Sequence, residues 1–353
     1  MRRPGGWKYK IYSTDQGHYE RLQRAPGYDF SIRAAVRILI DAMKRGSFLV
    51  LIGMLLVLVG VSCETSGNPD RPSAATQAER STGAGEEPTG EAEMKVLAQA
   101  YPDRIAEFGF RGDDWAVRID DTWYYWAHGR LLPEELRHRW EDYASYRFYS
   151  YSPGLPPIPN LDEQTKRRLK ERVEESVTNP PKRQEGFLAD LYKAGTRGQT
   201  EAGIVTVNLM GFDVRVHGQV AEPLKGVGRR LEILIENDPG VQRFVDGLKG
   251  LAGYNWREIA GTQSRSYHSY GIAIDLAPKS FGGRHTYWRW ALPQTDEWYA
   301  IPYEQRWMVP LQVVDAFEQQ GFIWGGKWFF FDTMHFEYRP EILILAEAAA
   351  AFP

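Results

Sequence analysis

Two short stretches near the C-terminal end constrain this chain more than anything else in it: residues 264–276 (SRSYHSYGIAIDL) and residues 321–338 (GFIWGGKWFFFDTMHFEY). In the first, Ile272 and Ile274 alternate with Ala273 and Asp275, the period of a strand that sends its isoleucines to the core and Asp275 to the opposite face. Gly271 lets the chain bend just before that strand and bring His268 over the carboxylate. In the second, Met334 and Phe336 alternate with His335 and Glu337, again a half-buried strand, and Asp332 stands just before it.

Two imidazoles and a carboxylate suit one Zn²⁺ ion, which in a hydrolytic site takes three protein ligands and keeps an open position for water. His268, Asp275 and His335 are therefore the expected metal ligands, and small Ala273 leaves room beside them. Asp332 is placed to act as a general base on water, and Glu337, two residues past His335 on the same face, to orient its imidazole. Other chemistries lack their signatures. There is no HExxH, the single cysteine cannot build a structural zinc site, and neither a G-x-S-x-G elbow nor a phosphate-cradling loop occurs. His217 and His285 sit in no motif.

The run S-x-H-x-x-G-x-A-x-D, followed some sixty residues later by D-x-x-H after G-F-x-W-G-G-x-W, resembles the M15 family of zinc D,D-peptidases. The resemblance covers about residues 186–353. It implies that His268, Asp275 and His335 hold zinc and that Asp332 is the catalytic acid/base. The family also uses an upstream arginine against the oxyanion of the tetrahedral intermediate. Arg257 in GYNWRE stands roughly where that arginine would fall, while Arg265 lies closer to the motif and competes for the role; the resemblance places Ser266 at the substrate terminus, with Arg265 as the other substrate-binding candidate. The dipeptidase branch has Glu where this chain has Asp332, and the endolysin branch has Asp, so the resemblance implies two cleavable bonds. One is the D-Ala-D-Ala bond of a carboxypeptidase, the other the L-Ala-D-Glu bond of an endopeptidase.

Residues 48–61 are fourteen uncharged, mostly apolar residues preceded by Lys44 and Arg45, short for a bilayer-spanning helix and right for a signal peptide. The run ends at Cys63, the sole cysteine, in a context that resembles a bacterial lipobox with Gly60 in the usual place of Leu. Residues 43–63 thus read as a signal peptide whose Cys63 is acylated, with an uncleaved signal anchor as the alternative; either reading ties the protein to a lipid membrane and puts the rest of the chain outside the cytoplasm. Residues 1–42 read as a start-site artefact or a cytosolic tail. Past Cys63 the chain carries 33 Lys and Arg against 42 Asp and Glu, a negative balance that excludes a nucleic-acid partner by electrostatics. Residues 64–93 hold no aromatic, Leu, Ile or Val and read as a disordered tether with a mean span of roughly 30 Å.

Residues 94–185 read as an aromatic-rich N-terminal subdomain followed by a charged helix. WAVRI (115–119) and TWYYWA (122–127) flank Asp120-Asp121 as a hairpin, and YASYRFYSY (143–151) reads as core and docking face. A helix is expected over 162–179, and the peptidase-like domain over 186–353. In that domain helices are expected over 187–194, 223–237, 241–248 and 310–320, and strands over 204–209 and 214–217. Residues 284–290 (RHTYWRW) read as a substrate-facing loop. The expected class is α+β, a small mixed or antiparallel sheet with packed helices carrying a mononuclear zinc site. The expected function is zinc-dependent hydrolysis of peptidoglycan stem peptides, with a D-alanyl-D-alanine carboxypeptidase first, the L-alanyl-D-glutamate endopeptidase second, and a non-catalytic, zinc-stabilised wall-binding lipoprotein as the contrasting class.

Overall fold

Antiparallel pairing of the two polar-faced stretches organises the computed structural model, which describes residues 90–180, 182–259 and 262–351. All of these lie in one compact unit, Ser73–Pro353. Residues 1–42, the stretch 43–63 read as a signal peptide ending at Cys63, and most of the stretch read as a tether fall outside the described residues. No helix among the described residues is long and apolar enough to cross a membrane.

The first helix, α1 (Gly90–Ala100), starts inside the stretch read as tether. Glu91 in its first turn complements the helix dipole, and Met94 and Leu97, just past the stretch read as tether, are fully buried, so their packing draws Gly90–Glu93 into the helix. A four-stranded antiparallel sheet follows: β1 (Ile105–Arg111), β2 (Asp114–Ile119), β3 (Thr122–Tyr125) and β4 (Leu132–Pro133), in that spatial order. The expected hairpin is the β2–β3 pair, closed by Asp120 at φ 50°. Helix α2 (Glu163–Thr178) is capped by Asp162, whose side chain accepts from the backbone N–H groups of Gln164 and Thr165. It buries only Leu169 and Val173, against a satellite core around Trp288, Trp298 and Phe331.

Helices α3 (Gly186–Leu191) and α4 (Arg197–Ala202) precede the hairpin of β5 (Ile204–Leu209) and β6 (Phe212–His217). Helix α5 (Gly218–Asn237) begins five residues earlier than expected because the His217 side chain caps its start, accepting from the N–H of Gln219, which leaves Pro223 inside the helix and not at its first turn. Helix α6 (Pro239–Asp246) and strand β7 (Leu248–Ala252) lead to β8 (Ala273–Pro278). The short helix α7 (Trp288–Ala291) overlaps the end of the 284–290 segment expected to be a loop. Helix α8 (Leu311–Glu318), strand β9 (Phe322–Trp324), strand β10 (His335–Tyr338) and helix α9 (Pro340–Ala351) complete the chain. The last helix was not anticipated from the sequence.

The central sheet runs β7-β8-β10-β9, antiparallel throughout. Strand β8 lies in its interior, and Ile272, Ala273 and Ile274 are all fully buried. The expected alternation of a covered and an open face therefore fails at Ala273, because both faces of this strand are covered. One core cluster takes Met94, Val117 and Tyr124 from the N-terminal elements together with Ile274 and Phe336 from the central sheet and Phe317 from α8. The fold is α+β, with small antiparallel sheets and packed helices.

Candidate active site

The β8–β10 register sets His335 directly opposite Asp275 and Glu337 opposite Ala273. Directly opposed antiparallel residues share a face, so the imidazole and the carboxylate meet, with His335 Nδ1 2.8 Å from Asp275 Oδ1. His268 comes from the short 3₁₀ turn Tyr267–Tyr270, which is capped at its start by the Ser266 hydroxyl and closed by Gly271 in the left-handed region at φ 71°. That turn drops His268 Nε2 to 3.2 Å from Asp275 Oδ2. One ligand atom from each of His268, Asp275 and His335 lies within 4.8 Å of the others, a grouping that could hold a metal ion.

The hydrogen bonds assign each ring an orientation. His268 Nδ1 lies 2.7 Å from the carbonyl oxygen of Gly253, so Nδ1 donates and Nε2 presents its lone pair to the cluster. That Nε2 is buried and has no hydrogen-bond partner. His335 is turned the other way. Its Nε2 lies 3.1 Å from Glu337 Oε1, leaving Nδ1 on the cluster side. An orphaned imidazole nitrogen, a second imidazole nitrogen and a carboxylate converging in this way fit a zinc-type cation.

Electrostatics support that fit. Burial pushes the Asp275 carboxyl up, but His268 and His335 outweigh it and hold the group well below the usual carboxylate range. Burial pushes His335 down, yet Asp275 and Glu337 raise it well above an ordinary histidine. Among the protein groups alone, the cluster thus favours a positive charge at its centre.

Asp332 follows a backbone bond to Gly325, and its carbonyl accepts from the N–H of His335 at 3.2 Å. Its Oδ1 is buried without a partner. Burial raises the carboxyl from 3.8 to about 7, with His335 opposing and Asp275 reinforcing the shift. A carboxyl poised near neutrality beside the three candidate ligands has the character of a general acid/base.

Residues 260–338 match the family model for D-alanyl-D-alanine carboxypeptidase. The match takes in His268, Asp275, Asp332 and His335 and supports the M15 peptidase family. Residues 93–148 match a second model, a domain of unknown function (DUF8518). No curated protein and no solved structure matches the chain.

The two candidate arginines have different surroundings. Arg265 donates through Nε to Glu185 Oε2 at 2.7 Å and through Nη1 to the carbonyl of Ala194 at 2.7 Å, and its guanidinium lies over Tyr270 and Trp256. The structure therefore spends Arg265 on holding the turn to α3, a role its nearness in sequence to the motif did not reveal. Arg257 Nε is buried and unpartnered. Tyr287, raised to about 12 chiefly by burial, feels both Asp332 and Arg257, and its backbone pairs with that of Asp332. The 284–290 segment thus borders Asp332 through Tyr287. Ser266 is buried, and its hydroxyl accepts from His268 N–H at 3.3 Å.

Sequence reasoning missed what stands behind Glu337. Arg339 is fully buried, with Nη1 3.6 Å from Glu337 Oε2, and its Nε donates to Glu341. Trp328 stands edge-on to His335 with ring centres 5.7 Å apart and is itself stacked on Tyr149 at 5.1 Å. A basic and an acidic residue flanking Pro340 gave no signal, since the tyrosines that fix Glu341 lie 240 and 195 positions away and the Tyr267 hydroxyl that meets Arg339 lies 72 away.

Proposed function

We propose that the protein is a zinc-dependent peptidase of peptidoglycan stem peptides, acting as a D-alanyl-D-alanine carboxypeptidase. The observation that carries this reading is the convergence of His268 Nε2, Asp275 and His335 Nδ1 beside a carboxyl, Asp332, raised to about 7. Zinc held by His268, Asp275 and His335 would supply Lewis-acid activation of water and of the scissile carbonyl.

Asp332 takes the proton from the attacking water as the C–O bond forms and the carbonyl carbon becomes tetrahedral, then returns that proton to the amine nitrogen as the peptide C–N bond breaks. Arg257, whose Nε has no protein partner, meets the charge that develops on the carbonyl oxygen. Gly253 and Glu337 hold the two imidazoles in the tautomers that aim a lone pair at the ion. The aromatic surfaces of Tyr287 and Trp328 screen the reacting groups from bulk water.

The apolar run at 48–61 and Cys63 support export and lipid anchoring, which would keep the enzyme beside the wall it trims. Mass analysis of purified sacculi digested with the zinc-loaded protein tests the reading. Release of terminal D-alanine from pentapeptide stems is the expected result. Cleavage between L-alanine and D-glutamate would assign the endopeptidase activity instead. Retention on sacculi with no fragment released would make the protein a wall-binding module.

A further inference from the structure

Arg339 and Glu341 form an ion pair with both side chains fully buried, an arrangement that costs several kcal/mol in desolvation unless every donor and acceptor is used. Here nearly all are. Besides Glu341, the guanidinium donates through Nη2 to the carbonyl of Arg147 at 2.7 Å and through Nη1 to the Tyr267 hydroxyl at 3.2 Å. It also lies over the rings of Tyr146 and Tyr267. Glu341 accepts from the hydroxyl of Tyr101 at 2.8 Å on one oxygen, and from that of Tyr146 at 3.0 Å on the other. Tyr101 and Tyr146 both belong to the stretch that matches the domain of unknown function, whereas Arg339 and Glu341 lie just beyond the peptidase match.

The chain of contacts leads in one direction. Tyr101 and Tyr146 fix Glu341, Glu341 fixes Arg339, Arg339 faces one oxygen of Glu337, and the other oxygen of Glu337 holds His335 Nε2. We propose that the N-terminal segment is the outer support of the metal site, with Tyr101 and Tyr146 as positioning residues that act on His335 through Glu341, Arg339 and Glu337. The metal role of His335 rests on the functional reading above, but its orientation by this chain does not. Removing both hydroxyls leaves Glu341 with Arg339 as its one remaining donor in the network. The guanidinium is then drawn toward Glu341, and Glu337 loses the charge that steadies its second oxygen.

The test compares the wild type, Tyr101→Phe/Tyr146→Phe, and Leu231→Ala, a core truncation in α5. The first readout is the solvent exchange rate of the imidazole Nε2 proton of His335 by NMR, with no metal added. The second is titration with Co²⁺, following affinity and the visible d–d bands. In the double variant the proton exchanges at least ~10-fold faster and Co²⁺ binds ~10-fold more weakly with altered bands, the usual scale for losing an outer partner of a metal-bound histidine. In Leu231→Ala the melting temperature falls and both readouts stay at wild-type values. An unchanged exchange rate in the double variant overturns the proposal, as does an equal change in Leu231→Ala, which would mark a general loosening. Failure of the wild type to bind Co²⁺ would sink the metal reading, and the exchange rate would still decide the positioning role. Should the double variant not fold, Tyr101→Phe alone carries the same comparison.

Discussion

Glu337 holds the Nε2 of His335 from the same strand face, two residues along, with Oε1 3.1 Å away. The i, i+2 spacing puts both side chains on one side of β10, and the residue opposite Glu337 is Ala273, small enough to let the carboxylate lean toward the ring. His335 therefore offers Nδ1 to Asp275 and His268, whereas His268, anchored through Nδ1 to Gly253, offers Nε2.

If Asp332 moves protons and does not hold the metal, Asp332→Asn should separate the two functions. Hydrolysis of a D-Ala-terminated peptide should fall by ~10²–10⁴-fold. The rise in melting temperature produced by zinc, about 3 kcal/mol of stabilisation at a hundred times Kd, should persist. His268→Ala should lose both. In the wild type the acid limb of kcat/KM reports the deprotonation of Asp332, which lies near 7 among the protein groups alone. A bound cation favours the carboxylate, so that limb should fall at or below about 7.

Arg257 and Arg265 should fail in different ways. Arg257→Lys, which loses the planar fork, should lower kcat with little change in melting temperature. Arg265→Met strands Glu185 and the Ala194 carbonyl. It should destabilise the fold by about 2–4 kcal/mol in a denaturant titration.

Gly271 holds the turn that delivers His268. A Cβ at this position would stand 2.6 Å from Ile204 Cδ1 and 2.7 Å from the backbone nitrogen of His217, at φ 71°. Gly271→Ala should cost about 1–3 kcal/mol in thermal unfolding and weaken zinc binding, because the turn must shift to make room.

Glu93 is 1% exposed, and burial raises its carboxyl from 4.5 to about 7. The folded state binds this proton more tightly than the unfolded chain, so the group costs nothing below about pH 4.5. Its penalty grows as pH rises and is complete above about 7. Glu93→Gln should therefore match the wild type in melting temperature at pH 4 and exceed it at pH 8. The gain should be on the order of 3 kcal/mol.

Residue identity and short-range pattern carried a good deal of this protein. The shared face of His335 and Glu337, the helix beginning at Asp162, the Asp120-Asp121 turn and the helix ending before Gly321 were all legible because they depend on neighbours a few positions apart. The end of the tether was not, since burial of Met94 and Leu97 carries helix α1 back to Gly90, into four residues whose composition argued for disorder. Nor was the choice between Arg257 and Arg265, because proximity along the chain says nothing about which guanidinium Glu185 captures from 80 residues away.

The sequence by itself determined which side chains were available: two histidines and two aspartates at spacings that strands and turns bring to one face. Only the tertiary structure decided how they are used. It chose the register that sets His335 against Asp275, the nitrogen each imidazole presents, and the buried Arg339–Glu341 pair that ties residues 101 and 146 to the site. Periodicity and turn chemistry act over a few residues, while register, tautomer and ion pairing are fixed by packing between segments that no local pattern links.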